Sequence, residues 1–392
     1  MADGKLRIGV VGLGTFVEIA HMPTYFNSRY SRLVEVAGIC DVNADRVKEW
    51  GQKYNIAGQY TSVDDMLAKA NLDAVTIVTP DHTHTPIALK ALEAGCDVLV
   101  EKPLAMNIKD CHRIRQAALK AGRRVITDFH KQEDPAHQEA RSRVRSGRYG
   151  ELQFGYVWMQ DAITVPAGGF FKTSLASHSS PNWFLGVHFY DCVRFITGLT
   201  AWKVRATGYK QVLGPEKGIN TYDAIKADVT MNNGAALSFY LSWNLPENIP
   251  SLTRQGIYFQ FAKGETYIDT RDRGFFESTY QAGYKAVNPM FLRDTDRGKA
   301  GYGAESIGEA LREFYELKCS GREGLKDLEK QRPSAMDGFY ATLTGQAVDA
   351  SLAQGQTLRG GQIILGKEID VNDLLQAELG SESQEYVVKV VK

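Results

Sequence analysis

The first 130 residues are built from apolar runs that carry almost no polar alternation, each trailed by a segment of helical period. The runs are LRIGVVG (6–12), VEVAGICD (34–41), DAVTIVTP (73–80), DVLVEKP (97–103) and RRVITDF (123–129). A strand that is apolar on both sides must be covered on both sides, which requires a parallel sheet with helices on each face. NADRVKEWGQKY opens with Asn43 as an N-cap, and HTPIALKALEAG stops at Gly95, so the intervening segments read as helices. Ligands of such sheets gather outside the carboxyl ends of the strands. That rule singles out Gly12–Thr15, Asp41, Thr79–His84, Glu101–Pro103 and Asp128–His130.

After Pro135 the pattern changes. ELQFGYVWMQ, WKVRATGYKQV, DAIKADVTM and ALSFYLSW are longer and alternate in part, and NNG (232–234) between the last two signals an antiparallel hairpin. FLGVHFYDCVRFITG (184–198) reads as a helix closed by Gly198, and two more helices lie near 304–319 and 331–353. The chain is therefore expected to be α/β: a doubly wound parallel sheet over 1–130, then an α+β domain over 131–392 with an open, largely antiparallel sheet. Residues 271–300 show no clear period and read as a loop or an interface insertion.

Composition narrows the function. Lys+Arg and Asp+Glu are both 46, giving zero net charge, which argues against nucleic acid as a partner. The five cysteines have no ligand-like spacing, so neither a disulfide framework nor a zinc site is expected. MADGKLRIGVVGLG lacks the pattern of a secretory signal, and no apolar run approaches membrane-spanning length. A cytoplasmic protein is the expectation.

GVVGLGTFV places Gly12 and Gly14 between the first strand and its helix. Glycine there allows a tight turn and lets the backbone N–H groups of Gly14, Thr15 and Phe16 meet a pyrophosphate. The third small position of that motif is Val17. Asp41 ends the second strand, where a carboxylate can accept from ribose hydroxyls and repel a 2′-phosphate, which favours NAD over NADP. TPDHTHTP closes the third run. No acidic or thiol cluster completes a site with its two histidines, so no metal is expected; Thr79, Pro80 and His84 read instead as packing around the cofactor. Glu101 and Lys102 end a buried strand, and Pro103 then holds the chain. An ammonium there can stabilise a developing alkoxide, and Glu101 is placed at the cofactor.

GLG, TPDHTH, EKP, DP (134–135) and GVHFYDCVRFITG together resemble the glucose–fructose oxidoreductase/inositol dehydrogenase (GFO/IDH/MocA) family, from about residue 5 to about 265. The resemblance implies a Rossmann domain, a second domain whose open sheet builds a homodimer or homotetramer, and NAD(P)-dependent chemistry on sugars or cyclitols. It implies a cis bond before Pro103, catalytic roles for Lys102 and His188, and an orienting role for Asp191. Phe184 stands where the family usually has Asp, and Gln132 where it often has Arg. His178 and Asp161 are then the candidates to substitute, with His130, Trp158 and Trp183 as further substrate-side candidates.

The reading that follows is an NAD-dependent dehydrogenase or ketoreductase for a sugar, sugar derivative or cyclitol. Two alternatives stand beside it. One is an NAD-liganded sensor that kept the fold. The other is a glycosidase that oxidises its substrate transiently and releases free sugar without net NADH.

Overall fold

The computed structural model of the chain describes residues 4–169, 176–270, 273, 275–281, 283–325 and 333–391. The chain divides into two compact units. The first comprises 1–105, 110–134 and 290–339, and the second 106–109, 135–289 and 340–392. No described helix is long and apolar enough to cross a membrane.

The first unit is a six-stranded parallel sheet, with β1 (Leu6–Val11), β2 (Val34–Cys40), β3 (Gln59–Tyr60), β4 (Ala74–Ile77), β5 (Asp97–Glu101) and β6 (Val125–Asp128) in the order β3-β2-β1-β4-β5-β6. Every residue of β4, β5 and β6 is buried, which is why those runs show no polar alternation. Winding reverses between β1 and β4, so a crevice opens at their carboxyl ends. The helix Ala44–Tyr54 starts as expected, with the Asn43 side chain accepting from the backbone N–H of Arg46. Gly95, at φ 77°, follows the helix His84–Glu93.

The segment Met290–Phe339, which the sequence division assigns to 131–392, belongs to the first unit. Its helix Tyr302–Cys319 buries Ile307, Leu311 and Phe314 in the same core as Leu6, Ile8 and Val10. Ion pairs tie the segment down, among them Arg124 Nε donating to Glu313 at 2.7 Å and Arg322 donating to Asp97 at 2.6 Å. The helical period of this segment was visible in the sequence, but its return to the first sheet depends on contacts far apart along the chain.

The second unit carries a nine-stranded mixed, largely antiparallel sheet. Its main strands are β7 (Leu152–Ala162), β8 (Ala201–Tyr209), β9 (Ala224–Met231), β10 (Ala236–Leu245), β11 (Thr253–Phe261) and β12 (Gly264–Asp269). β9 and β10 form the expected hairpin, and Gly234 takes φ 88° in the turn. One face is covered: Tyr190 of the helix Val187–Thr197 packs edge-on against Phe239, and Phe184 against Trp243. The other face leaves Phe154, Tyr156, Tyr240 and Tyr267 exposed. Within 271–300, residues Phe275–Thr279 pair with Gly283–Val287, and Arg293–Thr295 with Gly298–Ala300. These are two short hairpins rather than a structureless loop.

Candidate active site

The glycine turn follows directly from β1. Gly12 sits at φ +87°, and a Cβ there would lie 2.4 Å from the Val78 carbonyl oxygen. No other residue fits. Gly14 differs: nothing lies within 4 Å of its notional Cβ, so the backbone there is open to close approach by a ligand. Thr15 is exposed and Phe16 half-buried, while Val17 is buried in the core. From Val17 to His21 the helix runs as a wider π-turn.

Asp41 fastens this turn. Its Oδ2 accepts from the Leu13 backbone N–H at 2.9 Å and from Arg46 Nη1 at 3.2 Å, and its Oδ1 accepts from Asn43 N–H. The carboxylate thus stands at the end of β2 beside the glycine turn, where a ribose would lie in a dinucleotide. The open backbone at Gly14 and this acceptor fit a dinucleotide cofactor.

The two remaining motifs of the unit are stapled together. Thr83 Oγ1 donates within the turn to Thr79 Oγ1 or the Pro80 carbonyl, each at 2.7 Å. His84 is fully buried, with Nδ1 2.7 Å from the Pro103 carbonyl and Nε2 2.8 Å from the Thr79 carbonyl. Two carbonyl acceptors favour the doubly protonated ring, whereas burial holds its pKa below the usual range. His84 was expected to pack at the cofactor. Its side chain instead joins the two loops that carry Pro80 and Lys102. The Lys102–Pro103 bond is cis, and Lys102 is half-buried.

Glu101 also points inward. Its Oε1 lies 2.8 Å from His21 Nε2, and burial pushes its carboxyl up to about 7. Asp128 is its register neighbour on β6 and is raised well above the usual range, first by burial and then by the Glu101 charge. The sequence singles out Asp128 only as a strand end and offers no role for His21. The spacing of His21 and Tyr25, one helical turn apart, was the available signal. His130, expected on the substrate side, is buried beside Phe16, Phe291 and Tyr302. The last two come from the returning segment that the sequence division left elsewhere.

In the second unit His188 and Asp191 lie on the helix Val187–Thr197 and are both buried. Asp161 is buried and accepts from Thr253 Oγ1 at 2.6 Å. Trp158, three residues before it, projects from the opposite, open face and lies at a tilt beside Tyr156 and Tyr267. Alternation along β7 therefore separates these two substrate-side candidates. His178 is exposed. Trp183 is buried, and its indole N–H donates to Asp349 Oδ2 at 2.7 Å. It is a core residue rather than a surface for a sugar ring.

A parallel sheet with a glycine turn at its switch point and an acidic residue ending β2 defines a dinucleotide-binding protein. Residues 6–129 match the oxidoreductase family with an NAD-binding Rossmann fold, and residues 137–264 match the GFO/IDH/MocA C-terminal domain. The chain belongs to that family. It is 26% identical over 259 residues to D-glucoside 3-dehydrogenase of Escherichia coli, covering 62% of this chain and 72% of that one. Inositol 2-dehydrogenase of Salmonella typhimurium is 30% identical over 163 residues, 41% of this chain and 48% of that enzyme. Among solved structures, scyllo-inositol dehydrogenase of Lactobacillus casei with bound NAD(H) and scyllo-inositol superposes with a TM-score of 0.72. That match is 17% identical and covers 94% of this chain and 99% of the other.

Proposed function

We propose that the chain is an NAD-dependent dehydrogenase that moves a hydride between a carbinol carbon of a sugar, sugar derivative or cyclitol and the nicotinamide. The observation that carries this reading is Lys102, held at the mouth of β5 by the His84 staple behind it and the buried Glu101 beside it. It shares the carboxyl edge of one parallel sheet with the glycine turn. Gly12, Gly14, Thr15 and Phe16 receive the pyrophosphate, and Asp41 receives the adenosine ribose. The cofactor supplies the hydride acceptor. Lys102 donates to the reacting hydroxyl and stabilises the oxygen as negative charge builds on it. By the family resemblance His188, in the second unit, is assigned proton transfer, with Asp191 orienting its ring.

Asp41 as the ribose acceptor supports NAD over NADP. The exposed aromatic face of the second sheet supports a homo-oligomer, since large apolar patches on soluble chains usually mark interfaces. The names of the related dehydrogenases support a polyol substrate, and the zero net charge supports a small molecule rather than a polyanion.

The test is a panel of monosaccharides, glycosides, uronates, amino sugars and inositols, each incubated with NAD while NADH absorbance is followed. At least one member should give NADH in proportion to enzyme. Free sugar released from a glycoside without net NADH would replace this reading with the transient-oxidation glycosidase. Saturable binding without turnover of any member would replace it with the sensor.

A further inference from the structure

Beneath Lys102 the first unit encloses a polar cluster that a dehydrogenase of this design does not obviously need. β5 and β6 run in parallel register with Glu101 beside Asp128. One ligand-type atom each from His21, Glu101 and Asp128 lies within 4.8 Å of the others, and all three residues are buried. His21 reaches Glu101 through Nε2 and the Tyr25 hydroxyl through Nδ1, each at 2.8 Å. Ser306 donates its hydroxyl to Asp128 Oδ1. The backbone N–H of Lys102 lies on the Glu101 carboxylate.

One protonation pattern satisfies these partners. Burial keeps the His21 ring neutral, its pKa pushed down to about 4, so it has a single N–H. That hydrogen serves Glu101, and the Tyr25 hydroxyl then donates to Nδ1. The two carboxyls remain. Two unscreened negative charges at this separation in a desolvated place repel strongly, and such pairs retain a proton. A pair with both protons would leave the Lys102 ammonium without the Glu101 charge that it acts on. A single proton gives one negative charge opposite one positive charge.

We propose that Glu101 and Asp128 hold one proton between them, and that this pair, braced by His21, Tyr25 and Ser306, positions Lys102 and sets its charge. The Lys102 role itself rests on the dehydrogenase reading above. The charged and titratable groups facing the pair are Lys102 from the end of β5, Asp81 from the turn after β4, and His21 and Tyr25 from the helix after the glycine turn. In this arrangement Glu101 and Asp128 act as positioning residues. Glu101 anchors the Lys102 backbone, and Asp128 holds the proton that limits the negative charge next to the ammonium.

The proton is measured directly by infrared spectroscopy on the cofactor-free wild-type protein. A carbonyl stretch of a buried protonated carboxyl should persist at pH 8 and vanish in Asp128→Asn, where Glu101 ionises alone. Absence of that band in wild type overturns the proposal, and so does a stoichiometric divalent metal in the purified protein. This reading needs no substrate, so it stands or falls apart from the dehydrogenase assignment. The second measurement uses the alkaline limb of the kcat/KM profile on any substrate found. Glu101→Gln takes the negative charge off the residue that acts on Lys102 and leaves it on Asp128, and should move that limb about one unit to lower pH. Asp128→Asn places a full charge on Glu101 and should move it to higher pH. Shifts in the same direction would reduce the cluster to packing and overturn the positioning role.

Discussion

His84 binds the carbonyl of Pro103 at 2.7 Å while its other ring nitrogen meets the carbonyl of Thr79 at 2.8 Å. One buried ring thereby fixes the ends of two neighbouring strands, the TPDHT turn and the Lys102–Pro103 step. His84→Ala leaves both carbonyls buried and at least one without a donor. An unsatisfied buried polar group costs about 1–3 kcal/mol, so urea unfolding should show a loss of about 2–4 kcal/mol. Turnover should fall more than NAD affinity, because the staple holds the step that carries Lys102, while the pyrophosphate is received at the glycine turn. A variant with unchanged stability would mean that the loops hold themselves.

Lys102→Met keeps the stem volume and removes the ammonium. One preorganised donor to a developing oxyanion is worth about 10²–10³ in rate. With saturating NAD, turnover on a panel substrate should drop about a hundredfold or more, while NAD binding by fluorescence titration stays near wild type. Wild-type turnover would remove Lys102 from the chemistry.

Asp41→Ser tests the cofactor reading. The carboxylate accepts from the Leu13 N–H and pairs with Arg46, so its loss both loosens the glycine turn and frees a cation. NAD should bind more weakly, and NADP should gain relative to NAD because Arg46 can then meet a 2′-phosphate. A wild-type protein that already prefers NADP would contradict the ribose role of Asp41.

For His188→Asn, general acid–base assistance of about 10²–10⁴ is at stake. Turnover should fall by at least about a hundredfold with cofactor affinity retained. Undiminished turnover would move the proton to another group, and His178, which is exposed, is the next to replace.

The parallel sheet was legible because burial on both faces removes polar residues from the strands, as in β4 and β5. The NNG hairpin and the Asn43 cap were legible because each is decided within a few residues. What stayed hidden depends on residues distant in sequence. Glu101 looks like a cofactor contact until His21, 80 positions earlier, is seen against it. His130 looks available to a substrate until Phe291 and Tyr302 cover it. Trp183 looks like a stacking platform until Asp349 takes its N–H.

Asp349 gives the last prediction. It is half-buried in the second unit and accepts from Trp183 Nε1 at 2.7 Å and Asn182 Nδ2 at 3.0 Å. Those donors favour the anion, yet burial outweighs them and pushes the carboxyl up from 3.8 to about 6. The folded protein therefore holds this proton to higher pH than the unfolded chain does. The stability it contributes is complete below the unfolded value and is lost as pH rises through about 6. The full loss corresponds to about 3 kcal/mol. Asp349→Asn cannot ionise, and its unmatched amide against the two donors adds a penalty that does not vary with pH. Other titrating groups, Glu101 and His21 among them, contribute equally to both proteins and cancel in the difference. Urea unfolding at pH 4 and pH 7 should show wild type losing about 2–3 kcal/mol more than the variant over that interval. Identical pH slopes would mean that Asp349 is ionised in the folded state throughout, with Trp183 and Asn182 sufficient to stabilise its charge.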